Sequence, residues 1–313
     1  MKKTGKIIKV FAPATVANLG CGFDVMGLSV AEPGDAVEVR LNDSGLLKII
    51  KITGDDGKLT LDPQKNTVSV SMINMLKHLN KKIGADIILN KNMPLGSGLG
   101  SSAASSVAGV FALNELMGRP FSRKDLVPFA MEGERIACGS AHADNVAPCM
   151  LGGIILIRSY DPLEIISLPV PKNLFVVLVH PKVVVLTRDA RAVLPKQIPL
   201  KTGIAQWANT AALTAGLYES DYSLIGRAVH DHVAEPPRAR LLPHFNELKG
   251  MALKSGALAC SISGSGPSVF ALCEGEVIAK KLARAMKSFY TRNNISSQTF
   301  YSKVNTKGVQ VIS

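Results

Sequence analysis

The sequence predicts a protein that mixes helices and strands and is long enough for two domains. Strand-like runs and segments with helical hydrophobic spacing alternate along the chain. A length of 313 residues leaves room for a substantial core in each of two domains. Prolines at 162, 169 and 171 interrupt the pattern near mid-chain, so we place the domain boundary there, between residues 1–168 and 169–313.

Hydrophobic spacing predicts the elements of the first half. Short alternating or apolar runs predict strands over residues 6–11, 37–41, 46–52 and 85–91. Apolar residues at helical spacing predict helices over residues 66–80, 101–117 and 122–136. The third helix opens on Ser122 and Asp125, which have the spacing of a capping box.

The same criteria apply to the second half. They predict strands over residues 152–158, 164–168, 174–179, 257–263, 269–273 and 298–304. They predict helices over residues 187–194, 200–218, 222–233, 245–254 and 274–291. Prolines predict an irregular turn over residues 234–243. The Gly-rich stretch at 264–268 lies between two strands, which favours a tight hairpin.

Composition favours a soluble protein that binds anions. Hydrophobic residues make up 47% of the chain, but no stretch approaches the roughly 18 uninterrupted apolar residues of a membrane span. The apolar run near the amino terminus is too short for a signal peptide, so we expect a cytoplasmic location. The net charge of +12 suits nucleotides and nucleic acids alike, whereas an aromatic content of 5% argues against a platform for stacked bases. Five scattered cysteines predict neither a disulfide framework nor a zinc site.

A Gly- and Ser-rich loop begins at Pro94 and leads into the helix at 101–117. Gly96, Gly98 and Gly100 permit positive φ and close approach of a ligand to the main chain, and the serines at 101 and 102 are expected to cap the helix. Such a junction directs backbone N–H groups and the positive end of a helix dipole at one point, which favours a phosphate. An ordinary flexible turn has the same composition. The loop matches neither the P-loop nor the dinucleotide-binding pattern.

Polar residues outside this loop are further candidates for a binding site. Asn18 and Asp24 lie on an irregular segment, where recognition residues are common, although a turn-forming residue and a helix cap are equally good explanations. Glu132 and Glu134 lie near the end of a predicted helix, where the helix dipole disfavours a carboxylate. One of them suits a Mg²⁺ ion bound to ATP, and a solvated surface carboxylate is the alternative.

Two further groups of polar residues follow along the chain. His142, Asp144 and Asn145 fall within four positions, which by itself is weak support for a metal site. Arg191 lies on a short predicted helix, and Arg238 lies on the proline-rich turn. Arginine suits bidentate binding of a carboxylate, although most single arginines belong to a solvated surface.

Several of these stretches together resemble one known family. Residues 93–104 resemble, position by position, the ATP-binding loop of the GHMP kinases, which act on galactose, homoserine, mevalonate and phosphomevalonate. The stretch Pro-Ala-Thr-x-Ala-Asn-Leu-Gly-x-Gly-Phe-Asp at 13–24 is similar to the amino-terminal signature of the homoserine-kinase branch. The stretch at 139–153 and Glu-Pro-x-Arg-x-x-Leu-x-Pro at 235–243 also resemble that branch, and 264–268 resembles the third GHMP motif.

The resemblance implies a fold and two cofactors. It implies an α+β, two-domain GHMP kinase fold, with an amino-terminal domain like ribosomal protein S5 domain 2 and a ferredoxin-like carboxy-terminal domain. It implies ATP bound at Pro94, Leu95, Gly96, Ser97, Gly98, Leu99, Gly100, Ser101, Ser102, Ala103 and Ala104. It implies Mg²⁺ held by Glu134, eight positions before His142, and by Ser102. The third motif would pack beside the ATP-binding loop.

The resemblance also implies an activity, which is ATP-dependent phosphorylation of the side-chain hydroxyl of L-homoserine in threonine biosynthesis. Substrate contacts are expected from Asn18, Asp24, His142, Asn145, Arg191 and Arg238, and catalytic contributions from Glu134, His142, Asn145 and Thr187. The two arginines would hold the α-carboxylate and Asp24 the ammonium group. Adenine is expected near the start of the helix at 66–80. The family often forms dimers, so we expect a homodimer with neither a nucleic-acid nor a membrane partner.

Two alternatives stay open on the sequence alone. A GHMP kinase for a sugar or an isoprenoid alcohol shares the phosphate loop, but has no reason for an Asp and two Arg arranged for an α-amino acid. A non-catalytic RNA-binding protein is suggested by the charge of +12 and by the ribosomal-protein-like domain. We assign no residue as a general base, and Asp144 is not placed in that role.

Overall fold

The computed structural model describes residues 5–139 and 141–312. Its strands are β1 (Ile7–Ala17), β2 (Met26–Asn42), β3 (Leu47–Thr53), β4 (Gly84–Asn90), β5 (Ile154–Tyr160), β6 (Leu163–Leu168), β7 (Leu174–Pro181), β8 (Ala259–Ile262), β9 (Val269–Glu274), β10 (Ser297–Lys303) and β11 (Gln310–Ile312). Its helices are α1 (Thr67–His78), α2 (Ser101–Leu116), α3 (Arg123–Cys138), α4 (Ala143–Leu151), α5 (Thr187–Ala192), α6 (Leu200–Glu219), α7 (Tyr222–Ala228), α8 (Glu235–Ala239), α9 (Phe245–Lys254) and α10 (Glu276–Arg292). The predicted α+β class is confirmed.

A seven-stranded sheet carries the first half of the chain. Its main path has the order β11-β1-β2-β4-β3, while β5 pairs with β2 and β6 pairs with β5. The long strand β2 pairs with β5 through its first residues and with β4 through its last ones. Among the strand pairs of this sheet that the structure describes, β3 and β4 are parallel and all the others are antiparallel. Helices α1 to α4 pack together on this sheet, with α2 against β1 and β2.

Helix α2 lies at the centre of the first half and is buried around nearly its whole circumference. Its Ala, Ser and Gly residues allow this, because small side chains let neighbouring helices and strands approach closely. Gly109 is one such position, since a Cβ atom added there would lie 2.2 Å from the carbonyl oxygen of Val68 in α1. The start of α2, which follows the Gly-rich loop, is therefore held by the core below it.

The second half forms a four-stranded antiparallel sheet with the order β10-β7-β9-β8. Strand β7 alternates between two cores, because successive side chains on a strand point to opposite faces. Leu174, Val176 and Leu178 pack into the core shared with the first half. The alternate residues pack into a second core with α9 and α10, and they are Phe175, Val177 and Val179. The uninterrupted apolar run at 174–179 follows from this burial on both faces.

The chain ends by returning to the first sheet. Strand β11 pairs with β1, and the amide of Gly153 donates to the carbonyl of Asn305 at 2.6 Å. The strands therefore change sheets between Leu168 and Leu174 and change back after β10. The division of the chain into domains at 1–168 and 169–313 stays a prediction.

Several local predictions were wrong. The first strand was expected to end at residue 11, before the irregular segment that carries Asn18 and Asp24, but β1 continues to Ala17 because a β-bulge between Pro13 and Thr15 accommodates the proline. The first half of β2, helix α4 and strand β11 were not predicted. Helix α7 ends at Ala228, five residues before its predicted end at Val233.

A predicted turn and a predicted helix cap were also wrong. Residues 235–239 form the short helix α8 instead of an irregular turn, because prolines in the first turn of a helix lose no intrahelical hydrogen bond. The N-cap of α2 is Gly100 in the left-handed conformation, with φ 69°, and no side-chain cap. The predicted capping box of Ser122 and Asp125 is confirmed.

The structure also bears on the expectation of no membrane span. Within residues 5–139 and 141–312, none of the helices combines the length and the apolar character needed to cross a bilayer.

The close packing at Gly109 generates a test of the core. We expect Gly109→Ala to lower the free energy of unfolding by about 1–3 kcal/mol, because overpacking against the Val68 carbonyl outweighs the better helix propensity of alanine. Gly250 is a matched control in α9, where an added Cβ would meet no atom within 4 Å. Gly250→Ala should raise the free energy of unfolding by up to about 1 kcal/mol. Urea denaturation of both variants measures this, and equal effects would contradict the proposed packing.

Candidate active site

A cavity of about 430 Å³ lies where the two halves of the chain meet. Its walls include the Gly-rich loop, the amino-terminal segment after β1, and residues of α5, α8 and the loop between β8 and β9. All the residues predicted to act in catalysis or substrate binding line it, namely Asn18, Asp24, Glu134, His142, Asn145, Thr187, Arg191 and Arg238. The fold thus brings together residues that are more than 200 positions apart in sequence, as the hydrogen bond from the Asn18 side chain to the Gly264 carbonyl, across 246 positions, illustrates.

The Gly-rich loop has the geometry of an anion site. Gly96, Gly98 and Gly100 all adopt positive φ, at 64°, 76° and 69°. Helix α2 starts immediately after Gly100, and its first turn leaves backbone N–H groups without intrahelical partners. The positive end of the helix dipole adds to this field, so the cavity wall formed by the loop favours a negatively charged group.

The loop between β8 and β9 supports the Gly-rich loop, as the resemblance implied. The hydroxyl of Ser263 donates to the carbonyl of Gly98 at 2.7 Å, and the amide of Ser268 donates to the carbonyl of Ser97 at 3.1 Å. A Cβ atom at Gly98 would lie 2.5 Å from the carbonyl oxygen of Ser263, so only glycine fits there. β8 and β9 also form the expected hairpin.

The residues of the predicted ATP-binding loop differ in their access to the cavity. Those that line it are Leu95, Gly96, Ser97, Gly98, Gly100, Ser101 and Ser102. Leu99, Ala103 and Ala104 are fully buried in the core, and Pro94 is half-buried outside the cavity wall. Any contact of these buried residues with a ligand would have to be made by their backbone. Their role in ATP binding stays a prediction.

A buried ion pair that sequence reasoning missed lies directly beneath this loop. The Lys91 ammonium contacts the Asp35 carboxylate, and it also donates to the Ser101 carbonyl at 2.8 Å and to the Ser105 hydroxyl at 2.9 Å. Asp35 in turn accepts hydrogen bonds from the amides of Asn92 and Met93 at 2.8 and 3.0 Å, and from the hydroxyl of Ser101 at 3.0 Å. The pair therefore ties β2, the end of β4 and the start of α2 together.

Asp24 and Arg191, which both line the cavity, form an ion pair with each other. Nη2 of Arg191 lies 3.1 Å from Oδ1 of Asp24, and Nη1 lies 3.3 Å from Oδ2. Both side chains are partly exposed: 43% of the side-chain surface of Arg191 and 26% of that of Asp24 are accessible. The pair is consequently able to exchange its internal partner for a ligand of the appropriate charge.

His142 borders the same ion pair. Its Nε2 lies 3.0 Å from Nη2 of Arg191. Burial lowers the pKa of His142, and the nearby charge of Arg191 lowers it further, although Asp24 acts in the opposite direction. The neutral ring at pH 7 accepts the hydrogen bond from the guanidinium through Nε2, which places the ring proton on Nδ1.

Arg238 differs from Arg191 in having no carboxylate partner among the described residues. Only 4% of it is exposed, and its Nε and Nη1 donate to the carbonyls of Ala190 and Gly264 at 3.0 and 2.9 Å. Phe23, also missed by sequence reasoning, lies beneath both guanidinium groups, 5.1 Å from Arg238 and 5.8 Å from Arg191. A buried guanidinium that is held in place but lacks a counter-ion favours an anionic ligand.

The segment that carries Asn18 and Asp24 is fixed by several hydrogen bonds. The Asn18 side chain accepts from the amide of Asp24 at 3.1 Å and donates to the carbonyl of Gly264 at 3.0 Å. Tyr160, which the sequence did not indicate, donates its hydroxyl proton to the carbonyl of Asp24 at 2.8 Å. Both Asn18 and Asp24 adopt left-handed backbone conformations, with φ of 73° and 59°. Such strain is retained where the surroundings enforce it and is common at functional sites.

Two buried carboxylates line the cavity near the start of α2. Glu134 in α3 is 6% exposed, and Asp144 in the first turn of α4 is 4% exposed. Burial, together with the negative charges of Asp24 and Glu134, raises the pKa of Asp144 to about 7. Asn145, the next residue, accepts a hydrogen bond from the Thr15 hydroxyl at 2.6 Å. Two hard oxygen donors beside an anion site suit a divalent cation that accompanies a polyphosphate.

Fold and cavity together define an enzyme that binds an anionic co-substrate at a helix start and a second, charged ligand beside it, which is the arrangement of a small-molecule kinase. Residues 66–153 match the family described as "GHMP kinases N terminal domain", and residues 213–292 match "GHMP kinases C terminal". A protein of Chlorobaculum tepidum named "Homoserine kinase" is 50% identical, over 98% of this chain and 99% of its own length. The chain belongs to the GHMP kinase family, within the group of the homoserine kinases.

Solved structures agree with this placement. The crystal structure of homoserine kinase from Cytophaga hutchinsonii superposes with a TM-score of 0.96 at 56% identity, over 98% of this chain and 97% of that one. Lactococcus lactis galactokinase complexed with galactose superposes with a TM-score of 0.72 at 15% identity, over 98% and 95% of the two chains. The second comparison concerns the fold alone, and it confirms the expected GHMP kinase fold.

The buried pair beneath the Gly-rich loop generates a prediction. Lys91→Met leaves the Asp35 carboxylate buried without its cation, so we expect the free energy of unfolding to fall by about 3–5 kcal/mol. Adding Asp35→Asn to Lys91→Met should recover part of that loss, because the amide oxygen still accepts from the backbone while the uncompensated charge is gone. Urea denaturation measures both values. A double variant less stable than Lys91→Met would contradict the role of the charge.

The raised pKa of Asp144 predicts a pH dependence of stability. The folded state holds the proton up to about pH 7, whereas a carboxyl with its ordinary value of 3.8 loses it much earlier. The stabilising effect of the protonated group is therefore complete at low pH and is lost as pH rises from about 4 to about 7. Asp144→Asn lacks this titration. The free energy of unfolding of the variant, relative to that of the unmodified protein, should therefore rise across that range by up to about 4 kcal/mol. Parallel stability profiles from pH 4 to 8 would contradict it.

Proposed function

We propose that this chain transfers the γ-phosphoryl group of ATP to the side-chain hydroxyl of L-homoserine, a step of threonine biosynthesis. The observation that carries the proposal is the presence, in one cavity, of an anion-binding loop and of opposite charges spaced along a second wall. The name of the 50% identical relative supports the choice of acceptor.

The charges fit an α-amino acid better than a neutral alcohol. Asp24 is the partner for the ammonium group, and Arg191 with Arg238 is the partner for the α-carboxylate. Binding a zwitterion exchanges the internal pair of Asp24 and Arg191 for two pairs with the ligand, and it gives Arg238 the counter-ion that the described residues do not supply. Asn18, His142 and Asn145 would then border the substrate's side chain.

ATP is expected to extend from the Gly-rich loop toward α1. The amides of residues 96–102 would hold the triphosphate, because they combine positive φ, free N–H groups and the helix dipole. Leu59, Thr60, Asn66 and Thr67 line the cavity near the start of α1 and are the candidates for the adenine end.

Mg²⁺ fits the oxygen donors at the junction of these two parts. Glu134 and Ser102 line the cavity, and Oδ1 of the buried Asp144 accepts no hydrogen bond from the residues that the structure describes. Within the described chain no group of three or more His, Cys, Asp or Glu side chains is positioned to enclose a metal. This suits Mg²⁺, which takes one or two protein ligands and completes its shell with phosphate oxygens and water. Glu134 and Ser102 would hold the ion, which neutralises charge on the phosphates when bound.

The chain's contribution to the chemistry is positioning and charge stabilisation. Phosphoryl transfer through a loose transition state needs an aligned acceptor and compensated charge, and it needs little covalent chemistry from the protein. Thr187 opens α5 and lines the cavity, with its hydroxyl 3.4 Å from that of Ser265 in the turn between β8 and β9. We assign it to the γ-phosphate, and we assign no general base.

An ADP-release assay tests the proposal directly. Purified protein is incubated with ATP and Mg²⁺ and with homoserine, mevalonate or galactose in separate reactions. We expect turnover with homoserine alone, and loss of turnover when the Mg²⁺ is chelated. Turnover with galactose or mevalonate would replace the proposed acceptor. The absence of turnover with all three, together with RNA binding that weakens steeply with salt, would support the RNA-binding alternative instead.

The assignment of Asp24 to the ammonium group predicts a selective kinetic defect. Asp24→Asn should raise the KM for homoserine by about tenfold or more, since one charged partner is lost in a partly buried site, and change the KM for ATP far less. Asp189→Asn is the matched control, because that carboxylate pairs with Arg188 at the surface outside the cavity wall. The control should leave both constants unchanged. Equal effects of Asp24→Asn on the two KM values would refute the assignment.

A further inference from the structure

One side chain of α6 joins the two parts of the chain that carry the opposite charges of the cavity. Gln206 is half-buried on this helix and does not itself line the cavity. Its NH2 group donates to the backbone carbonyl of Cys21 at 2.8 Å and to Oδ1 of Asp231 at 3.1 Å. Its oxygen accepts from the backbone amide of His232 at 2.8 Å. The side chain therefore bridges two segments that are far apart in sequence.

The first end of this bridge belongs to the segment that carries Asp24. Cys21 is buried, and its carbonyl accepts a second hydrogen bond from the hydroxyl of Thr210, one turn further along α6, at 3.0 Å. The same segment packs directly on the loop after α7, because a Cβ atom added at Gly20 would lie 2.9 Å from Cγ1 of Val229. The backbone that leads to Asp24 is thus held against α6 by two hydrogen bonds to one carbonyl.

The second end of the bridge belongs to the start of α8, which carries Arg238. Asp231 is 4% exposed, and its carboxylate accepts from the backbone amides of residues 233, 234 and 235 at 2.8, 2.9 and 2.8 Å. The last of these amides is the first of α8, where N–H groups have no partner within the helix. Arg238 follows in the same turn, with its amide 3.3 Å from the carbonyl of Ala234. The position of Arg238 therefore depends on that of Asp231.

We propose that Gln206 is a positioning residue that fixes the spacing between Asp24 and Arg238, and that this spacing selects a substrate with its ammonium and carboxylate groups on one carbon atom. The inference rests on the proposed function, in which these two residues hold the two ends of the amino acid. They come from separate segments, so local backbone geometry does not set their spacing. A bridge that sets it before the substrate arrives removes the cost of ordering both groups during binding.

The neighbours of Gln206 determine which way its amide group points. The carbonyl of Cys21 and the carboxylate of Asp231 only accept hydrogen bonds, whereas the backbone amide of His232 only donates. The NH2 group must therefore face the first two and the oxygen must face the third. A carboxylate in this place would repel both acceptors, and an apolar side chain would leave them without their donor. An amide of this length is thus required for the bridge.

Gln206→Met tests the proposal, because methionine has a similar length but no amide group. We expect the KM for homoserine to rise about tenfold and the KM for ATP to change by less than about twofold. Asn209→Leu is the matched control, since this amide also joins α6 to the loop after α7, by donating to the carbonyl of His230 at 2.9 Å. Among the residues that the structure describes, the Asn209 side chain has no hydrogen bond to the segment 18–24. The control should leave both KM values unchanged.

Two further measurements separate positioning from a general disturbance of the fold. In a double-mutant cycle, Asp24→Asn removes one of the two charges, so their spacing no longer matters. Adding Gln206→Met to it should then raise the KM for homoserine by less than about twofold. The second measurement uses the isomer of homoserine whose amino group is one carbon atom further from the carboxylate. The affinity of this isomer as a competitive inhibitor, relative to homoserine, should rise about fivefold or more in Gln206→Met.

Three outcomes would overturn the proposal. They are an unchanged KM for homoserine in Gln206→Met, an equal rise of both KM values, and additive effects in the double-mutant cycle. Thermal unfolding checks that each variant is folded, and Gln206→Asn, which keeps an amide too short to reach both partners, repeats the test if Gln206→Met does not fold. The absence of turnover of homoserine by the unmodified protein would refute the proposed function. Normal turnover combined with an unchanged KM in the folded variant would refute the role of Gln206 alone.

Discussion

The buried ion pair of Asp35 and Lys91 is the constraint on which the rest of the site depends. Removing both charges from water is costly, and such a pair is tolerated only when every remaining donor and acceptor finds a partner. Here the ammonium group has three oxygen partners, and the carboxylate accepts from two amides and a hydroxyl in addition. Apart from the two charged residues themselves, every one of these partners lies on the segment that leads into the Gly-rich loop or on the first turns of α2. The direction of the backbone amides in the Gly-rich loop is therefore set from below, by the core.

The second half of the chain completes what this pair begins. Gly98 packs against the carbonyls of Ser263 and Gly266, and the next carbonyl, of Gly264, accepts from both Asn18 and Arg238. One turn between β8 and β9 thus touches the Gly-rich loop, the amino-terminal segment and the buried arginine. The proposed ATP site and acceptor site share this turn, so a displacement of one sheet relative to the other would alter both sites at once.

What the sequence revealed and what it concealed follow from the range of the interactions. Helices such as α1, α3 and α10 were predictable because their spacing and caps are local, and the candidate residues of the cavity came from contiguous motifs. The pair of Asp35 and Lys91 was not, since its members are 56 positions apart and each looks ordinary in its own segment. Tyr160 bonds across 136 positions for the same reason. The error at α8 had a different origin, because prolines were interpreted as breaking a helix that they in fact begin.

The distribution of charge in the cavity argues for the class of acceptor independently of any relative. Asp24 and Arg191 neutralise each other, Arg238 is buried without a described carboxylate, and His142 is neutral at pH 7. A neutral sugar would have to compete with the ion pair and would still leave Arg238 without a counter-ion. A hydroxy acid without an ammonium group would compensate an arginine but leave Asp24 unpaired. A zwitterion with a side-chain hydroxyl satisfies each of these groups, so the electrostatics of the wall select an amino acid before any contact with its side chain is considered.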